Sequence, residues 1–212
     1  MNKHYGIIAG CCAAFGTVVH GGIVATTGSA AVVPIPANVA GDVYESDTVI
    51  AVFVERQNVS LASNVSVDAT QPGDYDALAD LTPGFIAAGT TVSSYLIHWD
   101  RLGQNNGFLY RSGSVTFDQP VLGLMSSRST LISGDGVLGA PGTTYGTGDN
   151  LGIDFNTGDA YTLTGDRRTV NFFLGTNPGE DHLRIVTAVP EPAGLLLAGL
   201  GGATLLNRRR PR

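Results

Sequence analysis

The sequence predicts an all-β protein, a single antiparallel β-sandwich of jelly-roll-like form, on three observations. Between Val32 and Thr187, short β-branched and aromatic runs alternate with Gly, Asn, Asp and Pro clusters, the punctuation of many short strands. Almost no stretch carries apolar residues at helical spacing, and a parallel sheet would need crossover helices. No internal repeat points to a solenoid or propeller. A chain of 212 residues fits one such domain with appendages at both ends.

The first appendage is residues 1–31. Lys3 precedes an apolar run from Gly6 to Val19, and small residues follow as far as Ala31. That order predicts a secretory signal peptide forming an N-terminal signal helix, with Ser29 and Ala31 at the −3 and −1 positions of a cut after Ala31. Ile8-Ala9-Gly10-Cys11 also has the form of a lipoprotein cleavage box, although few residues precede it to serve as an apolar region.

The domain then spans 32–187. Thr48–Glu55 is nearly all apolar and β-branched, as in a strand buried on both faces. Val59–Val67 alternates with a break at Ser63. Thr91–Asp100 sets Tyr95, Ile97 and Trp99 on one face and Ser94, Leu96 and His98 on the other. Gly107–Phe117 continues the alternation across Gly113. Further strands are expected at Val121–Met125, Leu151–Phe155, Ala160–Leu163, Thr169–Leu174 and Leu183–Thr187. The one helical candidate is short, Asp74–Leu81. The glycine-rich run Ser133–Asn150 reads as a long surface loop.

Charge narrows the function classes. Between Val32 and Thr187 there are seven Arg, no Lys and seventeen acidic residues, a net of about −10. Nucleic-acid binding, which needs clustered cations against phosphates, is not expected of such a domain. The two cysteines, Cys11 and Cys12, are adjacent in the leader, so the domain must hold together without a disulfide.

Candidate chemistry is sparse. Asp135, Asp149, Asp154 and Asp159 sit in or beside the glycine-rich loops and could offer oxygen ligands to Ca²⁺. Their spacing does not make an EF-hand, and aspartates in turns commonly accept bonds from nearby backbone N–H groups. His98, beside Trp99 and Asp100, invites a metal reading with the distant His182. Zinc wants three or four convergent ligands, so His98 reads as a strand residue near a sheet edge and Asp100 as the opening of a turn. Tyr75, Tyr110, Tyr145 and Tyr161 are candidates for sugar stacking, or for ordinary packing. No G-x-S-x-G elbow occurs, and no enzyme activity is expected.

The second appendage is residues 188–212. Val189-Pro190-Glu191-Pro192 ends any strand. Ala193–Leu206 then gives 14 uncharged residues, a helix of roughly 21 Å, short of a hydrocarbon core of about 30 Å. Arg208, Arg209 and Arg210 would hold that end in the cytoplasm. Together these parts resemble the PEP-CTERM sorting signal of exopolysaccharide-producing bacteria, which is read by exosortase, a transpeptidase-like membrane protease that removes the tail. Ser94–Asp100, Gly113–Asp118 and Leu183–Thr187 are similar to recurring segments of unassigned function in the β-rich ectodomains ahead of such signals. The resemblance implies export by the secretory machinery, a transient stay at the inner membrane, and a place at the cell surface or in the extracellular matrix. The expected role is a structural or interaction module among exopolysaccharide. The alternative is a calcium- or carbohydrate-binding lectin-like domain, and an extracellular hydrolase has the least support.

Overall fold

A computed structural model describes residues 22–103, 107–176 and 179–189. The expected signal helix and the apolar tail helix lie outside them. Two five-stranded sheets are stacked face to face. The first runs β1 (Ile23–Gly28), β8 (Leu109–Phe117), β11 (Thr169–Thr176), β10 (Ala160–Leu163), β5 (Gly73–Tyr75). The second runs β2 (Ala30–Val32), β3 (Ile50–Ser60), β7 (Thr91–Asp100), β12 (Glu180–Ala188), β9 (Val121–Met125). Every pairing is antiparallel except β2 with β3. Two short strands, β4 (Val65–Val67) and β6 (Gly84–Ile86), pair separately.

The main core lies between the sheets. Val115, Phe117, Tyr161, Val170, Phe172 and Leu174 of the first sheet meet Val52, Tyr95, Ile97, Trp99, Leu183 and Ile185 of the second. The first sheet follows the half-buried pattern, apolar inward and polar outward, as in the alternation of β11. The second sheet is covered on both faces, which accounts for nine buried residues of ten in β7. Its far face packs Phe53, Leu96, Met125 and Val186 against β4, β6 and the helix α1 (Arg128–Leu138).

Helix α1 lies partly in the run Ser133–Asn150, expected to be a loop. Its start is fixed by the Asp68 carboxylate, which accepts from Ser126 N–H at 2.6 Å, Ser127 N–H at 2.7 Å and the Thr130 hydroxyl at 2.6 Å. Ser127 is the N-cap. One of the glycines that hid the helix serves its packing: a Cβ at Gly134 would lie 2.7 Å from Met125 Cε. Conversely, the expected helix at Asp74–Leu81 is strand β5 followed by one 3₁₀ turn, Leu78–Asp80. The expected strand Leu151–Phe155 reduces to an isolated bridge at Gly152 and a 3₁₀ turn, Phe155–Thr157. Val59–Val67 is divided between the end of β3 and β4.

The fold begins upstream of the expected boundary at Val32. Ile23–Gly28 pairs with β8, and Ala31 lies opposite Ala51 in the parallel β2–β3 ladder. The small residues that suit a signal peptidase here serve close sheet contact: a Cβ at Gly113 would lie 2.9 Å from that of Ala30.

Candidate functional site: a buried histidine pair beneath an acidic end

Two strands bring the site together by register. His98-x-Asp100 ends β7 and Glu180-x-His182 begins β12, so the period of two puts each pair on one sheet face. In the antiparallel ladder His182 lies opposite His98 and Glu180 opposite Asp100. The four side chains form a square on the far face of the second sheet, at its end. His98 is 1% exposed, His182 2% and Glu180 6%. His98 is therefore a central core residue and not an edge residue, because β7 is the middle strand of a sheet covered on both sides.

His98 Nδ1 and His182 Nε2 are 2.5 Å apart, and His182 Nε2 lies 3.5 Å from Glu180 Oε2. The other nitrogen of His98, Nε2, sits 2.8 Å from the Tyr44 carbonyl oxygen. A carbonyl only accepts, so the proton of neutral His98 is on Nε2 and its Nδ1 lone pair faces His182. Tyr44 also packs edge-on against His98, with ring centroids 5.8 Å apart. Asp42 N–H donates to Asp100 Oδ2 at 2.7 Å, and Gly146 packs so tightly on Glu180 that a Cβ there would overlap the carboxylate. Loops on either side thus close over the square.

Burial sets its charge state. It holds His98 down at about 4, against the opposing pull of its bond to Tyr44, and His182 well below the ordinary imidazole value, helped by the charges of His98 and Arg184. It raises Glu180 to about 7, reinforced by Asp100 and Asp42, and Asp100 to about 6. Both imidazoles are neutral at pH 7, with a carboxyl group in mid-titration beside them. Among the described residues Glu180 Oε2 is buried without a hydrogen-bond partner.

Beside the square the sandwich end is acidic and indented. A cavity of about 370 Å³ is bordered by Asp149, Asn150, Gly152, Asp154, Gly175 and Asp181. A neighbouring one of about 300 Å³ reaches Asp42, Asp100 and Glu180. Asp181 is raised well above the usual carboxylate range by burial and by Asp159, Asp154 and Asp100.

The four aspartates expected as calcium ligands do not converge. Asp135 stands on α1 and accepts from Arg184 Nη2 at 2.8 Å, because a buried guanidinium needs a second anion beyond Glu55. Asp159 is buried, accepts backbone N–H groups of Gly175 and Asp154 at 2.6 and 3.1 Å, and is raised to about 6 by burial. Asp149 and Asp154 border the larger cavity. Of the tyrosines, Tyr75 and Tyr161 are core residues stacked at 4.9 Å, and Tyr145 lies under the Arg184 guanidinium at 5.2 Å. Tyr110 alone is exposed.

Tyr110 belongs to a row on the outer face of the first sheet. Its ring is flanked by Phe108 at 5.8 Å and Phe173 at 5.4 Å, nearly parallel to both. The ring lies against Gly175, where a Cβ would collide with it. All three rings are exposed. Phe173 adjoins a groove of about 340 Å³ bordered by Thr27, Ser112, Ser114, Thr162 and Asn171, hydroxyls and an amide without a formal charge.

The sorting residues Pro190, Glu191, Pro192, Arg208, Arg209 and Arg210 lie outside the described residues; Val189 is the last described, directly after β12. Among the described residues no helix is long and apolar enough to cross a membrane. The period-two pairs were the available sequence signal for the histidine site, but only the β7–β12 register turns two separate pairs into one cluster.

Comparison with known proteins bears on the end of the chain alone. No curated protein and no solved structure matches it. The model of the PEP-CTERM protein-sorting motif matches residues 188–210, beginning at the last residue of β12. The chain carries the PEP-CTERM sorting motif: it is an exported protein sorted by exosortase, with a transiently membrane-anchored C-terminus.

Proposed function

We propose that the exported domain is a non-catalytic interaction module of the cell surface or extracellular matrix, docking neutral polysaccharide on the outer face of its first sheet. The observation that carries this reading is the exposed row of near-parallel rings Phe108–Tyr110–Phe173 beside an uncharged groove of hydroxyl and amide groups. Flat aromatic faces match the apolar faces of sugar rings, while Ser, Thr and Asn groups match their hydroxyls. An exposed aromatic patch on an otherwise acidic, low-charge domain marks an interaction surface. Exopolysaccharide is the matching material at the destination such a sorting signal serves.

Affinity electrophoresis of the secreted protein in gels containing neutral polysaccharides tests the reading. Retardation is expected, with Tyr110→Ala and Phe173→Ala each weakening it by about tenfold or more at one aromatic contact's worth, ~1.5 kcal/mol. Equal mobility of wild type with and without every polysaccharide would sink it. Calcium is a second reading, favoured only by Asp149, Asp154 and Asp181 bordering one cavity. It requires that added Ca²⁺ raise the unfolding midpoint of the chelator-treated protein, and that Asp154→Asn abolish that rise.

A further inference from the structure

We propose that His98, Glu180 and His182 bind a first-row divalent transition-metal ion, with zinc the best chemical match. The site is distinct from the sugar-docking face and does not depend on that reading. Among the described residues, ligand atoms of these three side chains lie within 4.8 Å of one another, and all three residues are buried.

Three features point to a metal instead of a self-contained hydrogen-bond network. The first is the arrangement of lone pairs. With its proton committed to Tyr44, His98 presents a bare Nδ1 to His182 Nε2 at 2.5 Å, and the Glu180 carboxylate faces the same nitrogen at 3.5 Å. One proton on His182 Nε2 can serve only one of these acceptors well, and Glu180 Oε2 is left buried and unpartnered. A cation among the three atoms satisfies all of them together.

The second is the shell behind the ligands. A metal-bound imidazole characteristically donates its far N–H to a carbonyl or carboxylate, which fixes ring and tautomer. His98 already does so to Tyr44. The third is access. Glu180 borders the cavity of about 300 Å³ shared with Asp42 and Asp100, so an ion has an acidic entrance beside one of its ligands.

The donor set selects the ion. Two imidazoles and one carboxylate suit zinc and its first-row neighbours, whereas Ca²⁺ takes six or more oxygen ligands. At Zn–N and Zn–O distances of about 2.0–2.2 Å the nitrogens of a tetrahedral site stand roughly 3.3 Å apart. The pair therefore opens by less than about 1 Å on binding.

The test uses the untagged full chain, stripped with a chelator and titrated with Co²⁺ and then Zn²⁺. One equivalent of Co²⁺ is expected to bind with ligand-field absorption and to be displaced by Zn²⁺. On Zn²⁺ addition the ¹⁵N shifts of two histidine side chains are expected to move; only four histidines exist in the whole chain, and two of them are His4 and His20. Glu180→Gln, which keeps the side-chain shape, and His98→Gln are expected to weaken Co²⁺ binding by about 100-fold or more, while Asp166→Asn, on a distant exposed turn, leaves it unchanged. The proposal fails if the folded wild type takes up neither ion at micromolar concentration. It fails equally if the histidine shifts stay put on uptake, or if folded Glu180→Gln binds as tightly as wild type. Should His98→Gln unfold, the shifts and Glu180→Gln decide.

Discussion

Arg184 shows how much a single residue of this domain depends on its neighbours. It is fully buried on β12, yet its guanidinium grips Glu55 through two bonds of 2.8 Å, Asp135 at 2.8 Å and the Leu131 carbonyl at 3.0 Å. It thereby links β3, β12 and α1 across the far face of the second sheet. Breaking such a pair from one side leaves a buried charge without compensation, whereas replacing both partners removes the desolvation cost along with the attraction. Arg184→Met should therefore lower unfolding free energy by roughly 3–5 kcal/mol in urea titrations, and adding Glu55→Met should recover most of that loss. A double variant no more stable than the single one would contradict this account. In the sequence, Arg184 is one cation in a β-rich run, and no local pattern connects it with Glu55, 129 residues away.

At the level of elements, strands were legible and the helix was not. Thr91–Asp100, Val121–Met125 and Ala160–Leu163 carry their alternation openly, and the strands β7, β9 and β10 have those bounds. Helix α1 contains Gly134 and Gly136 and lacks the Glu of a capping box, so its local propensity argues against it. Tertiary contacts form it: Asp68 holds its first turn from a distant segment, and Leu131 and Leu138 are buried on the sheet. The two glycines differ accordingly. Gly134 lies against Met125, whereas a Cβ at Gly136 would meet nothing within 4 Å. Gly136→Ala should stabilise the protein by roughly 0.5–1 kcal/mol, through helix propensity and a less flexible unfolded chain. A lowered denaturation midpoint for this variant would mean that the residue is not in a helix interior.

For the whole molecule, the two ends of the fold stand differently: the C-terminal end abuts the sorting motif, and the N-terminal end reaches into the segment expected to be cut away. β1 and β2 join the two sheets, one strand to each, and a Cβ at Gly22 would already lie 2.7 Å from the Tyr95 hydroxyl. Cutting after Ala31 would remove β1 and most of β2, exposing one edge of each sheet. The secreted protein should therefore begin at or before Gly22, and its intact mass and N-terminal sequence will show this. A mature chain beginning at Val32 would contradict the placement of both strands. At the other end β12 lies between β7 and β9, and the sorting motif starts at its last residue.

The sequence by itself determined the all-β class, the acidic and disulfide-free character of the domain, and the sorting signal at its end. Each of these is written in neighbouring residues: alternation with a period of two, composition, or an ordered motif. The tertiary structure decided that α1 exists, that residues 23–32 belong to the sandwich, and that Asp135, on α1 and bonded to Arg184, stands apart from the cavity that Asp149 and Asp154 border. It also decided that His98 and His182, 84 residues apart, touch. These are matters of register and of packing between distant segments, and a one-residue slip of β12 against β7 would send His182 to the opposite face. Local sequence specifies which residues can share a face; only the closed fold specifies which faces meet.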